Sequence, residues 1–483
     1  MNFARDVVAA ADPGATAIVE VAADGSRREW TFAEVSDSSA RLARRLGELG
    51  VGRGDVVMTL IGNRPEWVFT MVACFQVGAV VLPCTEQLRA KDLRLRVEAA
   101  RPALVVADER NRAELEGALR GWSGTEVLAF PGDSLFSSSA DPGFAELEPD
   151  DPCLITFTSG TSGEPKAVVH GQRYLSGQRV QAEHWLAPRA GDLVWCTASS
   201  GWSKSARNAF IAPWLRGATG LLHDGRFDPE ARLEMIEREG VNVLCMAPTE
   251  YRLIARRATL RNLPSLQGLV AAGEALNPEV LHAWRDATGL DVRDGYGQTE
   301  TGQLTANPPG RSARPGSMGL PLPQMNVWVD GGELVVDPAT VPTFFLGYGT
   351  ERRSRDEVYR TGDRVQVDED GYLYFEGRID DVIISAGYRI GPFEVESALV
   401  AHQAVAEAAV VAAADEERGS IVRAVVVLRD PDSSSPQLAQ ELQEHVKRTT
   451  APYKYPRRVD FVDALPKTNS GKIRRAELRD GSS

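Results

Sequence analysis

Surplus positive charge is the first thing this chain lacks: 54 Lys and Arg stand against 67 Asp and Glu, a net charge of -13. A protein that neutralises nucleic-acid phosphates needs the opposite balance, so non-specific nucleic-acid binding is excluded and any anionic ligand must meet local positive groups. Cysteine is also scarce. Its five copies (Cys74, Cys84, Cys153, Cys196 and Cys245) are scattered and form no C-x-x-C pair, which argues against a disulfide oxidoreductase or a zinc cluster and fits a reducing cytoplasm. Long apolar runs are missing. The most apolar stretch, residues 69–84, is too short to span a membrane and contains Gln76 and Gly78, so it reads as a buried helix followed by a buried strand. Residues 1–10 carry Arg5 and Asp6 without an apolar signal-peptide core, and export is not expected. No G-x-S-x-G, G-x-G-x-x-G or H-E-x-x-H occurs, which removes support for a serine hydrolase, a Rossmann dehydrogenase or a zincin.

What is present is an ordinary globular composition, 43% apolar and 25% charged, over 483 residues, enough for two or more domains. The capping-box spacing Thr31-x-x-Glu34 opens a helix with Val35, Leu42, Leu46 and Leu49 on one side, and Gly50 stops it. A strand over 56–61, a helix from Pro65, a strand over 79–82, a helix over 89–100 and a strand over 103–107 follow. Such βα units predict a parallel sheet covered by helices, continuing past Cys153 to about Tyr296. After Pro315 short strands take over, with Asp370-Gly371 as a hairpin turn. From about Ile379 a compact α+β module is expected, with a helix opening at Pro392, strands over 405–411 and 421–428, and a last helix from Gln437.

The most informative segment is Phe157-Thr-Ser-Gly-Thr-Ser-Gly-Glu-Pro-Lys166, a polar, glycine-bearing loop fed by the apolar run 153–156. Gly160 and Gly163 allow backbone N–H groups to converge, the hydroxyls of Thr158, Ser159, Thr161 and Ser162 add donors, and Lys166 adds charge, a set suited to a polyphosphate. A flexible Ser/Gly loop is the alternative at this point. It is not a Walker loop, because Lys166 follows Pro165 and precedes Ala167.

Thr158-Ser-Gly-Thr-Ser-Gly-Glu-Pro-Lys166 resembles the signature loop of the adenylate-forming superfamily. Asp294-Gly-Tyr-Gly-Gln-Thr-Glu300, Tyr359-Arg-Thr-Gly-Asp363, Gly377-Arg-Ile-Asp-Asp-Val-Ile-Ile-Ser-Ala-Gly-Tyr-Arg389 and Pro466-Lys-Thr-Asn-Ser-Gly-Lys472 resemble further motifs of that family, in the same order. The resemblance implies that Thr299 contacts the adenylate phosphate and that Glu300 holds Mg²⁺. It puts Tyr296 against adenine, with Gly273, Glu274 and Ala275 bordering the base and Asp294, Gly295, Gly297 and Gln298 in the nucleotide site. Asp363 would accept from the ribose hydroxyls with Arg378 nearby, and Asp380 would be the hinge. Lys472 would bridge the reacting carboxylate and the α-phosphate. Ser385, Ala386, Gly387, Tyr388 and Arg389, with Arg418, Lys447 and Tyr455, resemble coenzyme A contacts.

Ser199-Ser-Gly-Trp-Ser-Lys-Ser-Ala-Arg207 with Pro213-Trp214, and Ala451-Pro-Tyr-Lys-Tyr-Pro-Arg457, resemble the medium-chain acyl-CoA synthetase branch. That implies an acyl pocket walled by Trp202, Ala247, Ala272 and Gly273. The implied fold is α/β: a large N-terminal domain of parallel βα sheets with a small β-barrel subdomain (1–379, the barrel about 315–378), then a mobile α+β domain (380–483) bearing Lys472. The implied activity is an ATP- and Mg²⁺-dependent acid:CoA ligase for medium-chain or aromatic acids, with acid, ATP and CoA as its small-molecule partners, no membrane span and a cytoplasmic location; a homo-oligomer is left open. Transfer of the acyl group to a carrier protein, or a non-catalytic nucleotide-binding module, are the competing readings.

Overall fold

The computed structural model describes residues 1–139, 143–158, 165–273, 276, 278–385, 388–415, 419–467 and 473–480, and only the backbone at 380, 388, 389, 419, 476 and 480. Local sequence rules explain how the chain begins to fold. Thr31 caps helix Phe32–Glu48: its hydroxyl accepts from Glu34 N, and the Glu34 carboxylate accepts from Thr31 N at 2.8 Å. Of the expected apolar side of that helix, Val35, Leu42 and Leu46 are fully buried, while Leu49 is the C-cap just past the last helical residue and packs only partly buried against the core. Helix Pro65–Val77 is apolar nearly all round and buried on every side, as a helix between two layers must be. Its Trp67, Phe69 and Phe75 belong to the same core as Phe210 and Trp214.

The fold is mixed α/β, with a large N-terminal region of sheets and a smaller C-terminal domain. One eight-stranded sheet has its parallel strands in the order Pro152–Thr158, Val80–Cys84, Val56–Leu60, Leu104–Asp108 and Glu126–Phe130, and it carries Lys166–Gly171 antiparallel beside the first of these. A thirteen-stranded sheet holds the parallel run Val292–Gln298, Gly268–Ala272, Val243–Met246, Leu193–Cys196, Thr219–His223 and Thr16–Val21. Beyond Val292–Gln298 it turns antiparallel through Gly302–Ala306, Ser317–Pro321, Leu373–Arg378, Tyr359–Val367, Glu333–Val336 and Val327–Asp330. The strands expected to form a barrel-like subdomain are therefore an antiparallel ladder continuous with the large sheet. Asp370-Gly371 makes the predicted hairpin, with Gly371 at φ +85°.

Two elements differ from expectation. The hairpin Thr16–Val21/Arg27–Thr31 precedes the first predicted helix; its second strand, Arg-Arg-Glu-Trp-Thr, is a polar sheet edge with no alternation to reveal it. Helix Pro436–Thr449 is not the last, since Arg475–Asp480 follows. That short helix is tied down by Arg475, whose Nη2 reaches both Glu396 oxygens at 2.8 Å, and by ion pairs from Arg475 and Arg479 to Asp381. Among the described residues no helix is long and apolar enough to cross a membrane. All five cysteines are free and buried.

Candidate active site

Strand Val292–Gln298 lies beside Gly268–Ala272, with Asp294 opposite Ala271 and Gly295 opposite Ala272, so the Ala272-Gly273 and Asp294–Tyr296 segments border one another. The Gly-Tyr-Gly turn is sterically required. A Cβ on Gly297 would stand 1.9 Å from the Gly302 carbonyl oxygen of the returning strand. Tyr296 and Gln298, two apart and on one face, both reach Asp363: the Tyr296 hydroxyl and Gln298 Nε2 (2.7 Å) donate to Oδ2. Arg378, directly opposite Asp363 in the antiparallel register, donates to Oδ1 at 2.9 Å. Tyr359 in turn donates to Gln298 Oε1 at 2.9 Å. Asp363 is 4% exposed. Burial, and then the Asp363 carboxylate, push the Tyr296 phenol well above its ordinary value, which keeps it a neutral donor. Burial likewise raises the Asp294 carboxyl to about 8, although Gly295 N donates to it at 2.8 Å.

A second group gathers around Glu300. Thr158 pairs with Lys166 at the base of a hairpin, while Ser159, Gly160, Thr161, Ser162 and Gly163 lie outside the described residues. Lys166 Nζ sits 5.1 Å from the centre of the Tyr348 ring, and the Tyr348 hydroxyl donates to Glu300 Oε1 at 2.9 Å. The strap bearing Tyr348 grips both sides. Gly347 and Tyr348 pair with Val169 and Val168, Phe345 N donates to Glu300 O at 2.8 Å, and Thr343 Oγ1 donates to Thr301 O at 2.5 Å. Behind Thr299 lies His170, 1% exposed and held neutral because burial drops its pKa to about 3. Glu300 fits Mg²⁺: its second oxygen is a hard donor beside Thr299. Among the described residues no group of three His, Cys, Asp or Glu side chains gathers to hold a metal, and Mg²⁺ is commonly held by one or two carboxylates plus substrate phosphates and water.

Trp202 stands on a loop between strand Leu193–Cys196 and helix Arg207–Ile211, braced from the other sheet. The Asn63 side chain accepts from Ser200 N (2.8 Å) and donates to Ala198 O (3.1 Å), and the Ser200 hydroxyl donates to Ile61 O. Gly201, at φ +91°, comes so close that a Cβ would be 2.4 Å from Thr85 N. Across from this loop, Ala247 precedes helix Pro248–Arg257, and the Ala272 carbonyl accepts from Lys204 Nζ at 3.2 Å.

Residues 6–341 match the family of AMP-binding enzymes, and residues 394–472 match the AMP-binding enzyme C-terminal domain. The chain belongs to the AMP-binding enzyme family. It is 40% identical to an uncharacterised acyl-CoA ligase, YtcI, of Bacillus subtilis (strain 168), over 96% of this chain and 92% of that relative. It is 39% identical to the mitochondrial acyl-coenzyme A synthetase ACSM3 of Rattus norvegicus, over 94% of this chain and 85% of that protein. Among solved structures, an anthranilate CoA ligase, AuaEII, in complex with anthranoyl-AMP superposes with a TM-score of 0.89 at 28% identity, covering 100% of this chain and 97% of that one.

In this AMP-binding enzyme the expected nucleotide residues Tyr296, Gln298, Asp363 and Arg378 thus share one hydrogen-bonded cluster, and Lys166 and Glu300 share Tyr348. Of the expected CoA residues, Lys447 and Tyr455 come together, with Lys447 Nζ 4.3 Å from the ring centre. Ser385 is buried at the end of strand Ile383–Ser385, and Tyr388 and Arg389 begin the paired strand. Asp380 lies in the turn Ile379–Asp381. Lys472, Glu274, Ala275, Ala386, Gly387 and Arg418 lie outside the described residues. Tyr348, Asn63 and His170 were not singled out from the sequence; only His170, four residues past Lys166, lies close in sequence to a motif residue.

Proposed function

We propose that this chain is an ATP-dependent acid:CoA ligase that joins a carboxylic acid to AMP with release of pyrophosphate, then passes the acyl group to the thiol of coenzyme A with release of AMP. The convergence of Tyr296, Gln298 and Arg378 on the buried Asp363 carries this reading, together with membership of the AMP-binding enzyme family. Asp363 and Arg378 take the ribose, with Tyr296 against the base. Lys166 and the hydroxyls of residues 158–162 hold the outer phosphates, and Thr299 meets the α-phosphate. Glu300 would hold Mg²⁺, which supplies positive charge where phosphate oxygens gain negative charge. Lys472 bridges the attacking carboxylate and the α-phosphate, a preorganised donor of the kind worth about 10²- to 10³-fold in rate.

The acid lies against Trp202, Ala247, Ala272 and Gly273, a wall suited to a chain of moderate length or an aryl ring. The acceptor half uses residues 385–389 with Arg418, Lys447 and Tyr455. Residues 1–379 and 380–483 act as two domains about Asp380, and the protein works in the cytoplasm. The test is an acid panel with ATP and Mg²⁺, with and without CoA, scored for AMP, pyrophosphate and thioester. ADP as the main product would overturn the reading, and AMP formed without any CoA-dependent thioester would redirect it to a carrier-protein acceptor.

A further inference from the structure

Two helices pack against each other behind the Trp202 loop, Arg173–Gln181 and Arg207–Ile211. Their shared face is polar although it is buried: Tyr174 is 1% exposed, Gln178 and Asn208 0%, Gln181 2% and Arg207 6%. Some of this polarity is satisfied internally. Gln181 Nε2 donates to Asn208 Oδ1 at 3.0 Å, Asn208 Nδ2 donates to Lys204 O at 2.9 Å, and the Arg207 guanidinium lies within hydrogen-bonding reach of Tyr174. Much is not: among the described residues Arg207 Nε and Nη1 and Gln181 Oε1 have no hydrogen-bond partner, and the Gln178 amide, although it approaches Tyr174, completes no hydrogen bond.

A guanidinium removed from water is costly unless an anion meets it. Among the described residues no carboxylate pairs with Arg207. Glu250 is engaged by Arg232 and Thr197, and Asp294, with its pKa near 8, is largely protonated at neutral pH. Lys204 adds a second positive charge one turn before Arg207. The location is the one proposed for the acid. Arg207 follows Trp202 by five residues, its neighbour Asn208 donates to Lys204 O, and Lys204 Nζ donates to the carbonyl of Ala272, a proposed wall of the acid pocket.

We infer that Arg207 is a specificity-determining residue that receives a second carboxylate at the far end of the acid, so the preferred substrates are dicarboxylic acids activated at one end. The guanidinium keeps Nε and Nη1 as two separate unpaired donors for carboxylate oxygen, and the Gln178 amide, which approaches the same Tyr174 hydroxyl, adds a further donor. This rests on the acid-ligase reading and on Trp202, Ala247 and Ala272 as pocket walls.

The experiment measures kcat/KM for AMP formation with succinate, adipate and sebacate against butyrate, hexanoate and decanoate, and with terephthalate against benzoate. The dicarboxylic member of at least one pair should lead by roughly 10- to 100-fold, the worth of a hydrogen-bonded charge. Arg207→Met, similar in length, should reverse that preference, and Arg207→Lys should restore part of it. Monocarboxylates leading in every pair would overturn the inference and leave the ligase reading intact, and so would a ratio unmoved in a folded Arg207→Met. Should that variant fail to fold, the wild-type panel decides alone. AMP formation with none of these acids would count against the ligase reading and this inference together.

Discussion

Tyr348 serves two residues with one side chain: its ring lies under Lys166 and its hydroxyl holds Glu300. Tyr348→Phe keeps the first contact and removes the second, so the Mg²⁺ concentration for half-maximal pyrophosphate exchange should rise by about tenfold, the scale of one hydrogen bond to a charge. Glu300→Gln should raise it further, and an unchanged titration in both variants would count against Glu300 as the metal ligand. Asp294 makes a prediction about pH. Its folded pKa of about 8 lies above the unfolded value of about 3.9, so its stabilising contribution is complete below pH 4 and is lost as pH rises towards 8. Asp294→Asn should match the wild type in melting temperature at pH 4 and exceed it at pH 8; equal melting at pH 8 would remove the case for a protonated carboxyl. Sequence motifs led to Glu300, Asp363 and Arg378 because each stands in a short recognisable string. Tyr348 stands in a two-residue strand too short for any period to show, and Arg207, although it ends a recognised string, opens a five-residue helix too short for a period to say which side chain turns inward.

Among the elements, the loop carrying Trp202 depends on strand ends of the other sheet. Asn63 imitates a ladder residue, one amide accepting from Ser200 N and donating to Ala198 O. Asn63→Ala should therefore raise the KM for the acid by roughly tenfold while the KM for ATP stays put. Equal rises in both, or a drop in melting temperature alone, would show that Asn63 merely supports the fold. Elements were legible where a local rule acts by itself, as at Thr31, Pro65, Pro392 and Asp370-Gly371. They were hidden where tertiary pairing decides: the edge strand Arg27–Thr31 has no apolar alternation, and helix Arg475–Asp480 is short and held by ion pairs to Glu396 and Asp381.

For the molecule as a whole, the motifs around Gly387 and Lys472 are proposed to share one C-terminal domain that begins in the turn Ile379–Asp381. Asp381 is paired with Arg475 and Arg479, so the helix Arg475–Asp480 is fastened to the residue after Asp380, and with Asp380 as the proposed hinge it should turn with that residue. Alternation between two orientations predicts that Lys472→Ala loses acyl-AMP formation yet still converts supplied acyl-AMP to thioester, whereas Gly387→Leu does the reverse. Asp380→Pro, by fixing φ, should impair one half-reaction more than the other. Pyrophosphate exchange and thioester formation from synthetic acyl-AMP, assayed separately, decide this; equal loss of both in Lys472→Ala and Gly387→Leu rules alternation out. The brace on Trp202 has a consequence for anyone redesigning this enzyme. A loop transplanted from another ligase would arrive without Asn63, Ile61 and Thr85, whose backbone and amide fix its height. With Trp202 in its proposed place as a wall of the acid pocket, selectivity is heritable only as a discontinuous module, and a chimera that moves residues 198–207 must bring the ends of two distant strands along.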